Sequence, residues 1–527
     1  AGTCDADGNC TGGLFADRRA GSMDPPDCIG PSDCDDGNAA PDDTSGFFLD
    51  MHSNAALVLW PWGDTSTDSP NVAALTTFGR RLAYFNGYTP EQSNELYFTD
   101  GTTDDSMYGL LGVASYTIET NGFDFFEDCD SFETNTAPTN LATLRYAARA
   151  LHAPYKLPAG PDTIDVEVSS DLVVAGDPVT VTAHVDSSRF NQSNGSSPVH
   201  DIASVALYEN VLPWDTDAIE AMDPADGAFD SPVETATLTI DAPSSPGRNF
   251  VYVQGSDVVA NDGTPNAAFF DVANAGDVGT LHGTVTDAAT ADPLSASILL
   301  VDADESHAAI SDPVTGAYTA HAHPGSYDVT VSAPQHMAQT VAGVDFEAGA
   351  SVARDFALLP DCVVFADDME NGADAWTPHT PWVIATGTGT DTTHVWNTPN
   401  YGEDLNSSLT TASSFDLTGY SDVTLDFDDR CATESGYDYG FAEYSTNGST
   451  WNTLYQCSGQ SAWQSHHIVL PADANGAAAL KIRFRLTSDD FQDADGFSID
   501  NVRLAAGGTA CIAQQGPPDD IFKNGFE

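Results

Sequence analysis

Apolar positions change their period twice along this chain. Residues 1–45 have no period: they form an acidic, Gly-, Asp-, Pro- and Cys-rich segment with one short helix-like stretch, Leu14-Phe15-Ala16-Asp17-Arg18-Arg19. From Gly46 strand-length and helix-length patterns alternate. Phe47-Phe48-Leu49-Asp50-Met51 and Ala56 to Trp60 predict buried strands, the second closed by Pro61-Trp62-Gly63. Asn71 to Gly87 predicts a helix and Val113 to Ile118 a third strand. Asn140 is placed to cap a helix whose Leu141, Leu144, Ala148 and Leu151 share one face and which ends before Pro154. Beyond Gly160 the helical period stops. Thr163 to Phe270 alternates apolar and polar residues in short runs, such as Thr180-Val181-Thr182-Ala183-His184-Val185 and Phe250-Val251-Tyr252-Val253, with Gly and Pro turns between them. That pattern predicts a two-sheet sandwich, and Gly279 to Pro360 and Cys362 to Leu504 read as two further all-β units.

Composition narrows what such a chain does. The 527 residues suffice for several domains, and 41% are hydrophobic, enough for real cores. Asp and Glu total 79 against 16 Lys and Arg, the lysines being Lys156, Lys481 and Lys523. This surface repels nucleic acid and anionic membranes and offers no phosphate-binding patch. It suits solubility at high salt, where screening relieves self-repulsion, and acidic drift in a secreted protein explains it equally well. No apolar run is long enough to span a membrane as a helix. The start at Ala1-Gly2-Thr3-Cys4, without Met or leader, reads as a mature protein or a fragment.

Cysteine usage points to an oxidising, extracellular compartment. Of the 9 cysteines, Cys4 with Cys10 and Cys28 with Cys34 are near enough in sequence to close small acidic loops. Cys431 and Cys457 flank a strand-rich stretch, Cys362 and Cys511 bracket the module containing it, and Cys129 is left over. Asp5-Ala6-Asp7-Gly8-Asn9 alternates oxygen-bearing side chains as calcium loops do, but it lacks the closing Glu, so a solvated turn is the better reading.

The chemistry concentrates in three ordered motifs. Asp50-Met51-His52-Ser53 is followed by Leu57-Val58-Leu59-Trp60-Pro61-Trp62-Gly63. Next come Leu96-Tyr97-Phe98-Thr99-Asp100-Gly101-Thr102-Thr103-Asp104-Asp105 and Gly112-Val113-Ala114-Ser115-Tyr116-Thr117-Ile118-Glu119. Phe125-Phe126-Glu127-Asp128-Cys129, Pro154-Tyr155 and Gly160-Pro161 continue the pattern. In type, order and spacing this stretch resembles the C-terminal half of the catalytic domain of carboxypeptidase A/B-type zinc metallopeptidases, in its bacterial version. The resemblance implies that His52 is a neutral imidazole ligand to Zn²⁺. It makes Glu119 the residue that takes a proton from metal-bound water and returns it to the leaving amine. It implies that Tyr97 hydrogen-bonds near the scissile amide, and that Asp104 lines the pocket for a basic C-terminal residue, with Asp105 leaving that register open. Taken singly, a His or Glu after a strand is usually structural or solvated, and a Tyr is usually core; together and in order they favour the family.

One departure is severe. The family's first two zinc ligands lie in an upstream H-x-x-E motif, yet no His precedes His52, and none of the 13 His begins such a motif. The family's Asn-Arg pair for the substrate carboxylate is also missing, Arg18-Arg19 following a different pattern. One imidazole cannot hold a catalytic zinc.

Downstream, residues 161–275 read as an immunoglobulin-like sandwich. Gly283-Thr284-Val285-Thr286-Asp287, Thr315-Gly316-Ala317-Tyr318 and Pro324-Gly325-Ser326-Tyr327-Asp328-Val329 resemble the carboxypeptidase regulatory-like sandwich over 278–360. Phe365-Ala366-Asp367-Asp368-Met369, Tyr444-Ser445-Thr446-Asn447-Gly448 and Asp495-Gly496-Phe497-Ser498-Ile499-Asp500 resemble a MAM-type jelly roll over 361–505, leaving a tail at 506–527. Asp367, Asp368 and Asp500 could hold a structural Ca²⁺, and exposed turn carboxylates explain them almost as well. The tail's Asp520 to Glu527 resembles a terminal signature of exported bacterial proteins. His321 and His323 share a strand face and read as solvated, and His466-His467 alternate faces; neither pair is taken as a metal site.

The expectation is therefore a multidomain chain: a truncated α/β carboxypeptidase domain at 46–160 followed by three all-β sandwich or jelly-roll domains. Its function is that of a secreted zinc carboxypeptidase acting on peptide or protein C-termini, inactive alone unless an upstream fragment completes the site. A non-catalytic secreted binding protein built on a peptidase remnant is the alternative.

Overall fold

The computed structural model describes residues 3–4, 10–11, 39–99, 101–120, 125–190, 195–216, 220–370, 372–386, 394–434, 437–459, 463–489 and 495–515. The Asp5–Asn9 turn, the 14–19 stretch, the pairing of Cys4 with Cys10 and of Cys28 with Cys34, and the terminal signature lie outside what is described. Two compact units form: residues 1–166 with 183–237 and 252–267, and residues 167–182 with 238–251 and 268–527.

The first unit carries a mixed four-stranded sheet. Its strands are β1 (Phe47–Ser53), β2 (Leu57–Trp60), β3 (Thr89–Gln92) and β4 (Ala114–Thr120), in the order β1-β4-β2-β3. β1 runs parallel to β4, β4 antiparallel to β2, and β2 parallel to β3. β2 is a continuous apolar run and is buried throughout. β1 was expected to be equally buried, but it closes one edge of the sheet and its residues are half-buried or exposed. An edge strand is covered only by what packs on it, so its apolar sequence does not secure burial.

Helix α1 (Val72–Asn86) packs Leu75, Phe78 and Leu82 into the core. It passes close to β2 at Gly79, where a Cβ would stand 2.8 Å from the Trp60 ring. It stops at Gly87, whose φ of 73° is costly for other residues. A short helix α2 (Ser93–Leu96) precedes α3 (Thr103–Leu111), which is capped by the Thr102 side chain and ended by Gly112.

The helix α4 (Ala137–Ala150) departs from expectation. Asn140 lies inside it rather than at its cap, and the buried face is Asn140, Thr143, Tyr146, Ala147 and Ala150, while Leu141 and Leu151 are exposed. The inner face is polar but satisfied: Asn140 Nδ2 donates to Tyr88 Oη (3.0 Å) and Thr143 Oγ1 to the Leu82 carbonyl (3.1 Å). A buried polar face bonded in this way costs little, and apolar periodicity alone misreads it.

Strands from Asp162 to Ala273 form a four-stranded and a five-stranded sheet. Residues 279–358 form two more sheets. One is built around Gly279–Asp287; the other has the order Ser306–Ile310, Ser297–Val301, Gly325–Ser332, Gln339–Phe346. From Cys362 to Gly507, a sheet built on Ser421–Ala432 and Gly496–Gly507 faces one built on Tyr439–Ser445 and Lys481–Thr487. The core between them holds Trp396, Phe427, Phe484 and Phe497. Disulfides join Cys362 to Cys511 and Cys431 to Cys457, and Cys129 is a free, exposed thiol. A helix at Gly508–Gln515, not anticipated by the sequence pattern, carries Cys511.

Candidate active site

The parallel ladder between β1 and β4 sets His52 directly beside Glu119. Both stand at strand ends, where side chains leave the sheet towards the loops. Because alternate residues of a strand share a face, Asp50 falls on the His52 side. The imidazole lies between two carboxylates: Nδ1 is 3.4 Å from Glu119 Oε1 and Nε2 is 3.2 Å from Asp50 Oδ2. Asp50 is fixed in turn by Thr103 Oγ1, which donates to its Oδ2 at 2.6 Å.

This setting pushes the two carboxyls apart. Burial raises the Glu119 carboxyl above its ordinary value, with the nearby His52 opposing and the Asp50 charge adding to the rise. The Thr103 hydrogen bond holds Asp50 below its ordinary value, with His52 acting in the same direction. A carboxyl moved upward beside an imidazole is better suited to accepting and returning a proton than an ordinary carboxylate.

The remaining expected site residues are differently placed. Tyr97 follows α2 in extended backbone and is 63% exposed. Asp104 is buried, accepting from Ser93 Oγ at 2.8 Å. Its neighbour Asp105 accepts the Gly63 amide with both oxygens at 3.0 Å. Burial and the adjacent Asp104 push the Asp105 carboxyl up to about 7, against the pull of the Gly63 amide. Asp50 and Thr103 were not anticipated as partners of the site, although the spacing of Asp50 and His52 on a strand was the signal for the first.

Residues 39–136 match the family model of zinc carboxypeptidase. A zinc carboxypeptidase of Saccharothrix mutabilis subsp. capreolus is 40% identical over 77 residues, which is 14% of this chain and 18% of that protein. The chain thus spans under a fifth of the length of that relative. Among solved structures, the CBM22-1-GH10 modules of Clostridium thermocellum xylanase 10B align at a TM-score of 0.23 with 15% identity, covering 28% of this chain and 29% of that one. The CBM27-1 of Caldicellulosiruptor saccharolyticus aligns at 0.22 with 12% identity, covering 27% of this chain and 95% of that one. Likenesses this low carry no argument about binding.

The family implies zinc, which takes about three protein ligands at a catalytic centre. Around His52 the described residues supply one imidazole, and its two nitrogens face carboxylates on opposite sides. Those three groups are not among the sets of ligand atoms that converge within 4.8 Å. The residues present do not, by themselves, fit a catalytic zinc. Nor do Asp367, Asp368 and Asp500 form such a set for calcium; Asp367 instead accepts from the Met369 amide and the Trp376 indole.

Proposed function

We propose that residues 46–160 are the C-terminal half of a secreted zinc carboxypeptidase catalytic domain acting on peptide or protein C-termini. The observation that supports this reading most directly is the pairing of His52 with Glu119 on adjacent strands inside the segment that matches the family. In this reading Glu119 accepts and returns the proton, its affinity raised by burial. Tyr97, exposed on its loop, swings to hydrogen-bond near the scissile amide, and Asp104 sits under the pocket for the terminal side chain. His52 is one metal ligand, and the other ligands come from a segment outside these 527 residues. The three β regions are then an immunoglobulin-like, a regulatory-like and a MAM-type module of an exported enzyme. The two disulfides suit that compartment, and no helix among the described residues is long and apolar enough to cross a membrane.

The test compares this chain with a longer product carrying an upstream H-x-x-E segment, assayed for release of the C-terminal residue of a peptide. We expect no turnover from residues 1–527 alone. The longer product should turn over, with rates at least about 100-fold lower in Glu119→Gln. Turnover in the longer product that is indifferent to Glu119→Gln would reject the assignment.

A further inference from the structure

A second cluster of metal-ligating side chains lies in the 279–358 region and shares no residue with the His52 site. Glu305 immediately precedes the strand Ser306–Ile310, which places His307 at its second position, and His323 immediately follows the strand Ala317–Ala322. His323 Nδ1 stands 3.2 Å from Glu305 Oε1, and His307 Nε2 stands 3.5 Å from the same oxygen. One ligand atom from each of the three residues lies within 4.8 Å of the other two. A tetrahedral ion with bonds of about 2.1 Å has ligand-to-ligand edges of about 3.4 Å. Two of the three separations are therefore already close to that edge.

Two further features point to a ligand. His307 Nε2 is buried and makes no aligned hydrogen bond, its contact with Glu305 Oε1 at 3.5 Å being an ion-pair approach only, an arrangement that costs free energy unless something occupies the nitrogen. On the other side of the ring, Nδ1 lies 3.8 Å from Asp171 Oδ1, a carboxylate held in place by the Ala308 amide at 2.9 Å. With a metal ion on Nε2 the ring proton would sit on Nδ1, the side that faces Asp171. Tyr327 Oη donates to Glu305 Oε1 and fixes that carboxylate as well.

We propose that Glu305, His307 and His323 bind one divalent transition-metal ion, zinc before others. Two imidazoles select a borderline ion over calcium or magnesium, which favour all-oxygen sites. His323 is half exposed, so the fourth position faces water, and the ion pins the end of the Ala317–Ala322 strand to the start of the Ser306–Ile310 strand. His321, two residues earlier, is not part of the set: its Nε2 meets Asp177 at 2.8 Å and its Nδ1 meets Thr280 at 3.1 Å.

The test uses the full chain, stripped of metal, titrated with Co²⁺ and followed by its visible d–d absorption, then with Zn²⁺ as competitor. One equivalent of Co²⁺ should give tetrahedral-type bands that Zn²⁺ displaces. His323→Ala and Glu305→Gln should each weaken binding about 100-fold or more, while His52→Ala leaves it unchanged. Since His323 and Glu305 are partly exposed, an unchanged melting temperature of the metal-free variants separates ligand loss from misfolding. No Co²⁺ uptake by the wild-type chain, uptake that survives both substitutions, or uptake lost in His52→Ala would overturn the assignment.

Discussion

The peptidase-like sheet and the sheets of residues 362–507 solve the same burial problem to different degrees. In the latter, Trp396, Phe427, Phe484 and Phe497 are at most 2% exposed, the inner faces cover one another, and two disulfides tie the ends and one edge. In the former, β2 and β4 are well covered, but β1 lies at the sheet's edge with every residue at least partly exposed. In the same region Tyr97, Phe98, Phe125 and Phe126 are 61% to 83% exposed, an unusual display of aromatic surface. One region closes its own core; the other leaves an edge strand and several aromatic side chains exposed among the described residues. Apolar content alone does not distinguish them, because both contain runs of strand-forming residues.

The sharpest way to break that comparison is to remove the covalent closure. The bond from Cys362 to Cys511 spans a sequence separation of 149, and constraining a loop of that length in the unfolded chain contributes about 5 kcal/mol in the chain-entropy view. The double change Cys362→Ser with Cys511→Ser should lower the calorimetric transition of this region and leave that of the peptidase-like region in place. A common downward shift of both transitions would show that the two do not unfold independently.

Matched core truncations come next. Phe484→Ala removes a fully buried ring and should cost about 3–5 kcal/mol in denaturant unfolding. Leu49→Ala on the half-buried β1 should cost about 1 kcal/mol. Equal costs would mean that β1 is covered in solution, by a second copy or another protein, and the contrast between the regions would fall.

How much of this was legible in the sequence depends on where each residue's partners lie. β2, α1 and β4 follow from contiguous apolar runs or helical spacing, because their burial is set by neighbours of the same kind. The ordered motifs place His52 and Glu119 in one candidate site, and the structure sets them side by side. The inner face of α4 was misread because Asn140 and Thr143 are buried through hydrogen bonds to Tyr88 and Leu82, distant in sequence. β1 was read as buried because its letters are apolar, although coverage of an edge strand depends on what lies beyond it. His321 was read as solvated with His323; His323 is indeed exposed, but His321 is buried through hydrogen bonds to Asp177 and Thr280, partners that strand spacing does not record.

The smallest effect concerns pH, and it tests whether the first turn of α3 is as closed as the buried Asp104 and half-buried Asp105 imply. The Asp105 carboxyl is pushed up to about 7, from an unfolded value near 3.8, by burial and by Asp104, while the Gly63 amide favours the charged form. The folded chain therefore holds this proton over a window in which the unfolded chain has released it. Its stabilising contribution is complete below about pH 4 and is lost as pH rises towards about 7. In Asp105→Asn that dependence disappears. The amide keeps one acceptor for Gly63 but gives up the second, and water screens the half-buried Asp105 charge, so the net gain above pH 7 should be only about 1 kcal/mol. The quantity to follow is the stability difference between variant and wild type, from urea unfolding at pH 4 to 8, so that carboxylates common to both cancel. The difference should grow in the variant's favour through that interval. A flat difference would mean that water reaches Asp105, and that the first turn of α3 is open rather than packed.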